Sequence, residues 1–195
     1  MKLFPNGIII TQTEYTGLLH VEADPEQWLK DALAEKARLR RDALINEWRP
    51  RLFADSSVAE FPADADALAR LILSRRDCKS RAQADAECTP PELPYRHNLD
   101  RFNARTCTGA KVTLFQTGID LPDLDYDCIL VYVQDLDDWV LGALLGQINR
   151  GKKKMIREWQ PKLFADPNVS NIPANEDQLI QVIVNHPDYK TLAEL

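Results

Sequence analysis

The sequence predicts an α+β protein in which one β-β-α-α module is used twice. Three observations carry that reading. Residues 47–55 (Glu-Trp-Arg-Pro-Arg-Leu-Phe-Ala-Asp) recur as residues 158–166 (Glu-Trp-Gln-Pro-Lys-Leu-Phe-Ala-Asp), at an offset of 111. The match runs without a gap from Trp28/Trp139 to Lys79/Lys190 and holds 19 identities in 52 positions. Each copy sets β-branched runs ahead of two helical patterns. Two copies at so long a period fit a duplicated module and not a solenoid. The expected organisation is a first module over residues 1–80, a Pro-containing connecting segment over 81–110 and a second module over 111–195.

The strands come first. Residues 7–13 and 18–23, joined by a turn through Tyr15, Thr16 and Gly17, read as a hairpin. Residues 111–116 and 129–134 play the same parts in the second copy. A two-stranded hairpin is marginal alone. The two are therefore expected to meet in one four-stranded antiparallel sheet, with the helices packed on it and a pseudo-twofold axis between copies. Two separate lobes are the alternative.

A long helix follows in each copy, opened by the carboxylates of Asp24 and Asp135 where a helix N-terminus favours them. Leu29, Leu33, Ala37, Leu44, Trp48 and Leu52 make an apolar stripe at spacings of four and seven. Val140, Leu144, Ile148, Met155, Trp159 and Leu163 repeat it. This stripe is the predicted core face, and places both tryptophans in the core. Pro50 and Pro161 are expected to end or kink the helix. A shorter helix, N-capped by Asp64 or Asn175, closes each copy.

Residues 80–110 have no counterpart. Thr89–Pro94 cannot form a regular helix or central strand. Tyr95, Leu99 and Phe102 are expected to pack on the modules.

The chain holds 45% hydrophobic and 28% charged residues, an ordinary globular balance. No apolar run reaches the ~18 residues of a membrane span, and no signal peptide is read at the N-terminus. The expected location is cytoplasmic, or the virion. Residues 1–80 hold 12 basic and 13 acidic groups, and residues 112–195 hold 7 and 13. The second half thus carries the acidic excess, which argues against a DNA-coating protein but not against a local basic patch. Cys78, Cys88, Cys107 and Cys128 lack the close spacing of zinc ligands. Four free thiols are expected, with a Cys88–Cys107 disulfide as the alternative.

Two basic runs mark the candidate site. Arg38, Arg40 and Arg41 fall on the first long helix, and Arg150, Lys152, Lys153 and Lys154 on the second. Recurring at overlapping places, they would suit an anionic partner, nucleic acid above all. On a helical wheel they spread around the circumference, which suits a solvated surface. The acidic stretch 120–127 has calcium-like spacing at Asp123, Asp125 and Asp127. It lacks the Gly and Glu that the loop requires further on, so it reads as a solvated loop. His20, His97 and His186 are scattered, and no nucleophile-elbow, phosphate-loop, dinucleotide or zinc-protease motif occurs. No catalytic residue, metal ligand or cofactor site is expected.

The module around Trp139, with the run Met155, Ile156, Arg157, Glu158, Trp159, Gln160 and Pro161 and then Ile172, Pro173, Ala174 and Asn175, resembles small uncharacterised proteins encoded in bacteriophage and prophage genomes. The resemblance covers both copies but not the connecting segment. It implies a phage setting, among structural or assembly proteins, and assigns no residue a role. The expected function is a non-enzymatic binding or structural protein whose partners are other proteins, phage structural or assembly components. The alternative is a nucleic-acid-binding accessory protein using the two basic runs.

Overall fold

In the computed structural model, which describes residues 1–58, 60–87, 97–105 and 110–195, the halves of the chain are stitched together at their strands. Strands β1 (Lys2–Leu3) and β2 (Ile8–Thr11) come from the first half, β3 (Lys111–Leu114) and β4 (Ile119–Asp120) from the second. β1 pairs antiparallel with β4, and β2 with β3. One register runs throughout, from Lys2 opposite Asp120 to Thr11 opposite Lys111.

Both chains of this ribbon are interrupted by the same turn. Gly7 N–H donates to Phe4 O at 2.8 Å, and Gly118 N–H to Phe115 O at 2.7 Å. Phe4 and Phe115 have φ of +46° and +50°, and the glycines +74° and +79°. A bulky residue in that region is strained, and here it occurs at both matched positions. A Cβ on Gly7 would lie 2.7 Å from Leu114 O, and one on Gly118 2.8 Å from Leu3 O. Each glycine thus lets its turn close on the opposite backbone.

The predicted hairpins and four-stranded sheet do not form; there are two two-stranded sheets between halves. The first hairpin's expected turn and the start of its second strand lie in helix α1 (Gln12–Leu19), and the rest of that strand, residues 20–23, is turn and loop. Thr11 Oγ1 accepts from Glu14 N–H at 3.2 Å while Glu14 Oε2 accepts from Thr11 N–H at 2.8 Å. This capping box starts a helix against the β-branched character of the run.

Helices α2 (Pro25–Ala54) and α3 (Ala65–Leu73) complete the first half. α4 (Arg81–Glu87) and α5 (His97–Asn103) lie in the connecting segment. Thr89–Pro94 and Tyr95 lie outside the described residues, as do Cys88 and Cys107 with their candidate disulfide.

Then come α6 (Asp123–Leu130), α7 (Leu136–Ala165) and α8 (Glu176–Val184), with a final 3-10 turn over Leu192–Glu194. α6 replaces both the acidic loop and the start of the strand expected near residue 129. The bounds of α6, α7 and α8 are those of α1, α2 and α3 shifted by 111.

The predicted caps are in place. Asp24 and Asp135 accept from the third residue on at 3.0 and 3.1 Å, and Asp64 and Asn175 at 2.8 and 3.1 Å. Pro50 and Pro161 end nothing: each long helix runs on to Ala54 or Ala165. So near the C-terminus the missing proline N–H removes one hydrogen bond without stopping the last turn.

All twelve residues of the predicted stripe are buried. The packing is reciprocal. α1 lies on α7 and α6 on α2, while α1 also touches α8 and α6 touches α3. Gly17 makes the first crossing close, since a Cβ on Gly151 would sit 1.9 Å from Gly17 O. The central core draws on both halves, with Ile10, Leu18, Leu29 and Leu33 against Ile129, Val140, Leu144 and Ile148. Leu99 and Phe102 of the connecting segment pack on it. α5 is further tied to α7, where Asp138 Oδ1 accepts from Asn98 and Leu99 N–H at 2.8 and 2.7 Å.

Beyond the centre, each long helix runs out into its own lobe. The first gathers Leu44, Trp48, Leu52, Leu68 and Ile72 with Leu124 and Cys128 of α6. The second gathers Met155, Trp159, Leu163, Leu179, Ile180 and Ile183.

Candidate functional site

The seven basic residues singled out by the sequence are not brought together. Arg38 is spent along its own helix, on Glu35 at 2.7 Å and Asp42 at 3.0 Å. Its hydrogen bond to Glu35 lowers that carboxyl below its ordinary value. Arg40 stacks its guanidinium 5.0 Å over the Tyr132 ring. Arg41 reaches Asp66 at 2.5 Å, and at the matched position Lys152 reaches Asp177 at 2.8 Å. Both hold the first turn of the short helix against the long one. The most obvious recurrence within the basic runs is therefore a structural tie. Lys154 lies 4.0 Å from Glu158. Arg150 and Lys153 are exposed and make no ion pair among the described residues.

The run that repeats best, residues 47–55 and 158–166, forms the outer end of each lobe. Its tryptophans and leucines turn inward, as predicted. Arg51 lies 5.0 Å over the Trp48 ring and Lys162 4.3 Å over the Trp159 ring, so a cation covers a face of each tryptophan. Phe53 and Phe164 turn outward and are 68% and 71% exposed. With Pro50 and Ala54, or Pro161 and Ala165, each forms an apolar face at i, i+3 and i+4 on the last helical turn. In the first lobe Phe61 stacks on Phe53 at 4.6 Å. One exposed phenylalanine is ordinary. The same one at both matched positions is a residue that packing does not account for.

Beside each apolar face a base sits between two aspartates, though only in the first lobe does it bond both carboxylates. In the first lobe Arg75 Nη2 donates to Asp55 at 2.6 Å and Arg75 Nε to Asp77 at 3.3 Å. In the second, His186 Nε2 lies 3.0 Å from Asp166, and His186 Nδ1 accepts from Asp188 N–H at 3.2 Å. The Ser57 hydroxyl and N–H, and then Arg75, hold the Asp55 carboxyl down at about 2. Asn168 N–H, and then His186, lower Asp166 in the same sense. Trp159, Lys162, Asp166, Asn168, His186 and Asp188 line an open groove of about 700 Å³ at this end of α7.

His20, on the other side of the second lobe, places Nε2 3.0 Å from Glu158 and stacks on Tyr189 at 6.0 Å. Burial lowers its pKa, against the raising effect of Glu158. Tyr189 in turn meets Trp159 edge-on at 5.5 Å.

The remaining candidates resolve locally. Asp123 takes the chain's amino terminus at 2.6 Å, and Asp125 lies 3.7 Å from Arg41. Both stand on a helix, so the acidic stretch is not the solvated loop its composition implies. Among the described residues no grouping of three or more His, Cys, Asp or Glu side chains could hold a metal ion. Cys78 and Cys128 are free thiols, and burial pushes Cys128 up to about 11. No helix among the described residues is long and apolar enough to cross a membrane.

Sequence reasoning missed both the exposed phenylalanines and the carboxylate bridges. The signal was present in the repeat: Phe53, Asp55 and Asp77 are identical to Phe164, Asp166 and Asp188. What could not be read from one strand of letters is which shared residues face out. Compared with protein-family models, with curated proteins and with solved structures, the chain matches none.

Proposed function

We propose that the chain is a non-enzymatic protein-binding element with two heads, arisen by internal duplication, that bridges protein partners through the outer ends of its long helices. The observation that carries this is Phe53 and Phe164, exposed to nearly the same extent at matched positions. Shared helix bounds, the shared strained turns and the reciprocal packing support the duplication and a pseudo-twofold arrangement. Two like faces on one rigid chain suit avid binding to a repeated surface, because the second contact forms at high effective concentration. The phage resemblance makes virion or assembly components the natural partners. Arg38, Arg41 and Lys152 are engaged with carboxylates, which leaves little of the basic runs for nucleic acid.

The test is capture of partners by the tagged chain from a phage-carrying host, with and without nuclease, beside F53A, F164A and the double variant. Because both rings are largely exposed, each substitution should change stability by no more than about 0.5 kcal/mol. Specific proteins that survive nuclease, weaken with either substitution and vanish with both are the expected result. Partners lost to nuclease but indifferent to the phenylalanines would overturn it in favour of nucleic-acid binding through Arg150 and Lys153.

A further inference from the structure

We infer that the carboxylate bridge of the second lobe is a proton-gated switch, whereas its counterpart in the first lobe is permanently closed. Both bridges join the residue just past the long helix to a carboxylate just past the short one, as Asp55–Arg75–Asp77 and Asp166–His186–Asp188. Only the central base differs.

Arg75 is charged at every accessible pH and donates to both carboxylates from separate nitrogens. His186 cannot do this when neutral. Its Nδ1 accepts from the Asp188 N–H at 3.2 Å, so the single ring proton sits on Nε2, facing Asp166 at 3.0 Å. In that form the ring is satisfied, but the Asp188 carboxylate is not engaged. A second proton must go to Nδ1, where it meets the Asp188 N–H head on. The lost acceptor releases that N–H, and the Asp188 carboxylate, 3.9 Å from Nδ1, can take the new Nδ1–H. Protonation thus exchanges a backbone contact for a side-chain one. The turn through Pro187 and Asp188 must shift to allow it, and the second lobe then acquires the double ion pair that the first lobe always has.

The surroundings leave room for the exchange. The groups around His186 are Lys162 of α7, Asp166 and Asn168 just after it, and Asp188 of its own turn. The Trp159 ring meets the imidazole edge-on at 5.2 Å. The groove is open to solvent, so a proton can reach Nδ1. His20 and Glu158 lie on the far side of Tyr189 and form a separate pair. The switched turn borders the groove that Ala165 and Lys162 also line, next to Phe164. A bias on binding at that head follows if the two-headed reading holds; the switch itself does not depend on that reading.

The experiment is a pH titration of the full isotope-labelled chain from about pH 8 to pH 5, the range over which histidine changes charge. It reads the imidazole nitrogens by two-bond proton–nitrogen spectra and backbone amides by hydrogen exchange corrected for intrinsic rates. At high pH His186 is expected as the Nε2–H tautomer. On protonation the Asp188 amide should lose protection by roughly fivefold, the worth of one hydrogen bond, while the Asp77 amide does not change. H186R should abolish the response, R75H should create one at Asp77, and H20Q should leave the Asp188 response in place. The proposal is overturned by an Nδ1–H tautomer at high pH. It is equally overturned by Asp188 and Asp77 responding together, or by a response that vanishes in H20Q. Should H186R not fold, the comparison of Asp188 with Asp77 in the unaltered chain decides the matter. Binding at the Phe164 head is measured separately, so its failure leaves the switch standing.

Discussion

Glycine decides the sharpest contacts at the residue scale. Gly151 and Gly17 let α7 and α1 cross with their backbones touching. G151A must push that crossing open, and the expected loss is about 1–3 kcal/mol in denaturant unfolding. Gly146, five residues earlier on the same helix, has open space where its Cβ would be. G146A should therefore stabilise by up to about 1 kcal/mol, because the native backbone is already helical and the unfolded chain loses freedom. Two glycines on one helix with opposite signs make the comparison self-controlled. A second prediction concerns acid. The Asp55 carboxyl is held at about 2, below its ordinary 3.8. A depressed carboxyl contributes stability that is complete above the ordinary value and lost as pH falls through the folded one. S57A removes the hydroxyl that does most to hold the carboxyl down, so acid unfolding of S57A should begin at higher pH than that of the parent chain. An unchanged acid limb would mean that Ser57 does not hold the carboxylate.

At the scale of elements, period mattered more than propensity. The apolar stripe of each long helix was legible because seven-residue spacing over thirty residues admits one reading. The caps at Asp24, Asp135, Asp64 and Asn175 were legible for the same reason, standing where a periodic run begins. α1 and α6 were not. Thr13, Thr16 and Val21, and the run from Ile129 to Val133, have strand character, and eight residues give too few turns to show a helical period. The overlooked letter pattern was Thr11-x-x-Glu14, a capping box that fixes the start of α1. T11A should cost about 1 kcal/mol. That loss should appear as faster hydrogen exchange over α1 in particular. The strand pairing was out of reach altogether, because no local feature of residues 2–11 says that their partner lies more than a hundred residues away. The outer ends of the long helices were half legible: the repeat named Phe53 and Phe164, and only the fold showed them turned outward.

For the whole molecule, the crossing of halves governs cooperativity. Each short helix after the ribbon packs on the other half's long helix, and the central core takes side chains from both. Each half's strands pair only with strands of the other half. Calorimetry should accordingly show one transition with matching van't Hoff and calorimetric enthalpies. Two resolved transitions, assignable to residues 1–80 and 111–195, would show that the halves are separable after all. The same crossing predicts that a chain cut between Glu87 and His97 stays together as a non-covalent pair in native buffer and separates only in denaturant.

The reciprocal packing also constrains how the two halves can drift in sequence. A side chain on α1 packs on α7 and α8, so what can replace it depends on residues of the opposite half. Where Gly17 meets Gly151 on one side, the matched positions hold Cys128 and Arg40. Substitutions in this molecule should therefore be accepted in pairs that straddle the halves. G17C and G151R each put a side chain where the backbones of α1 and α7 touch, and each should cost about 1–3 kcal/mol in denaturant unfolding. What one half will tolerate at these contacts is thus set by what the other half already holds there.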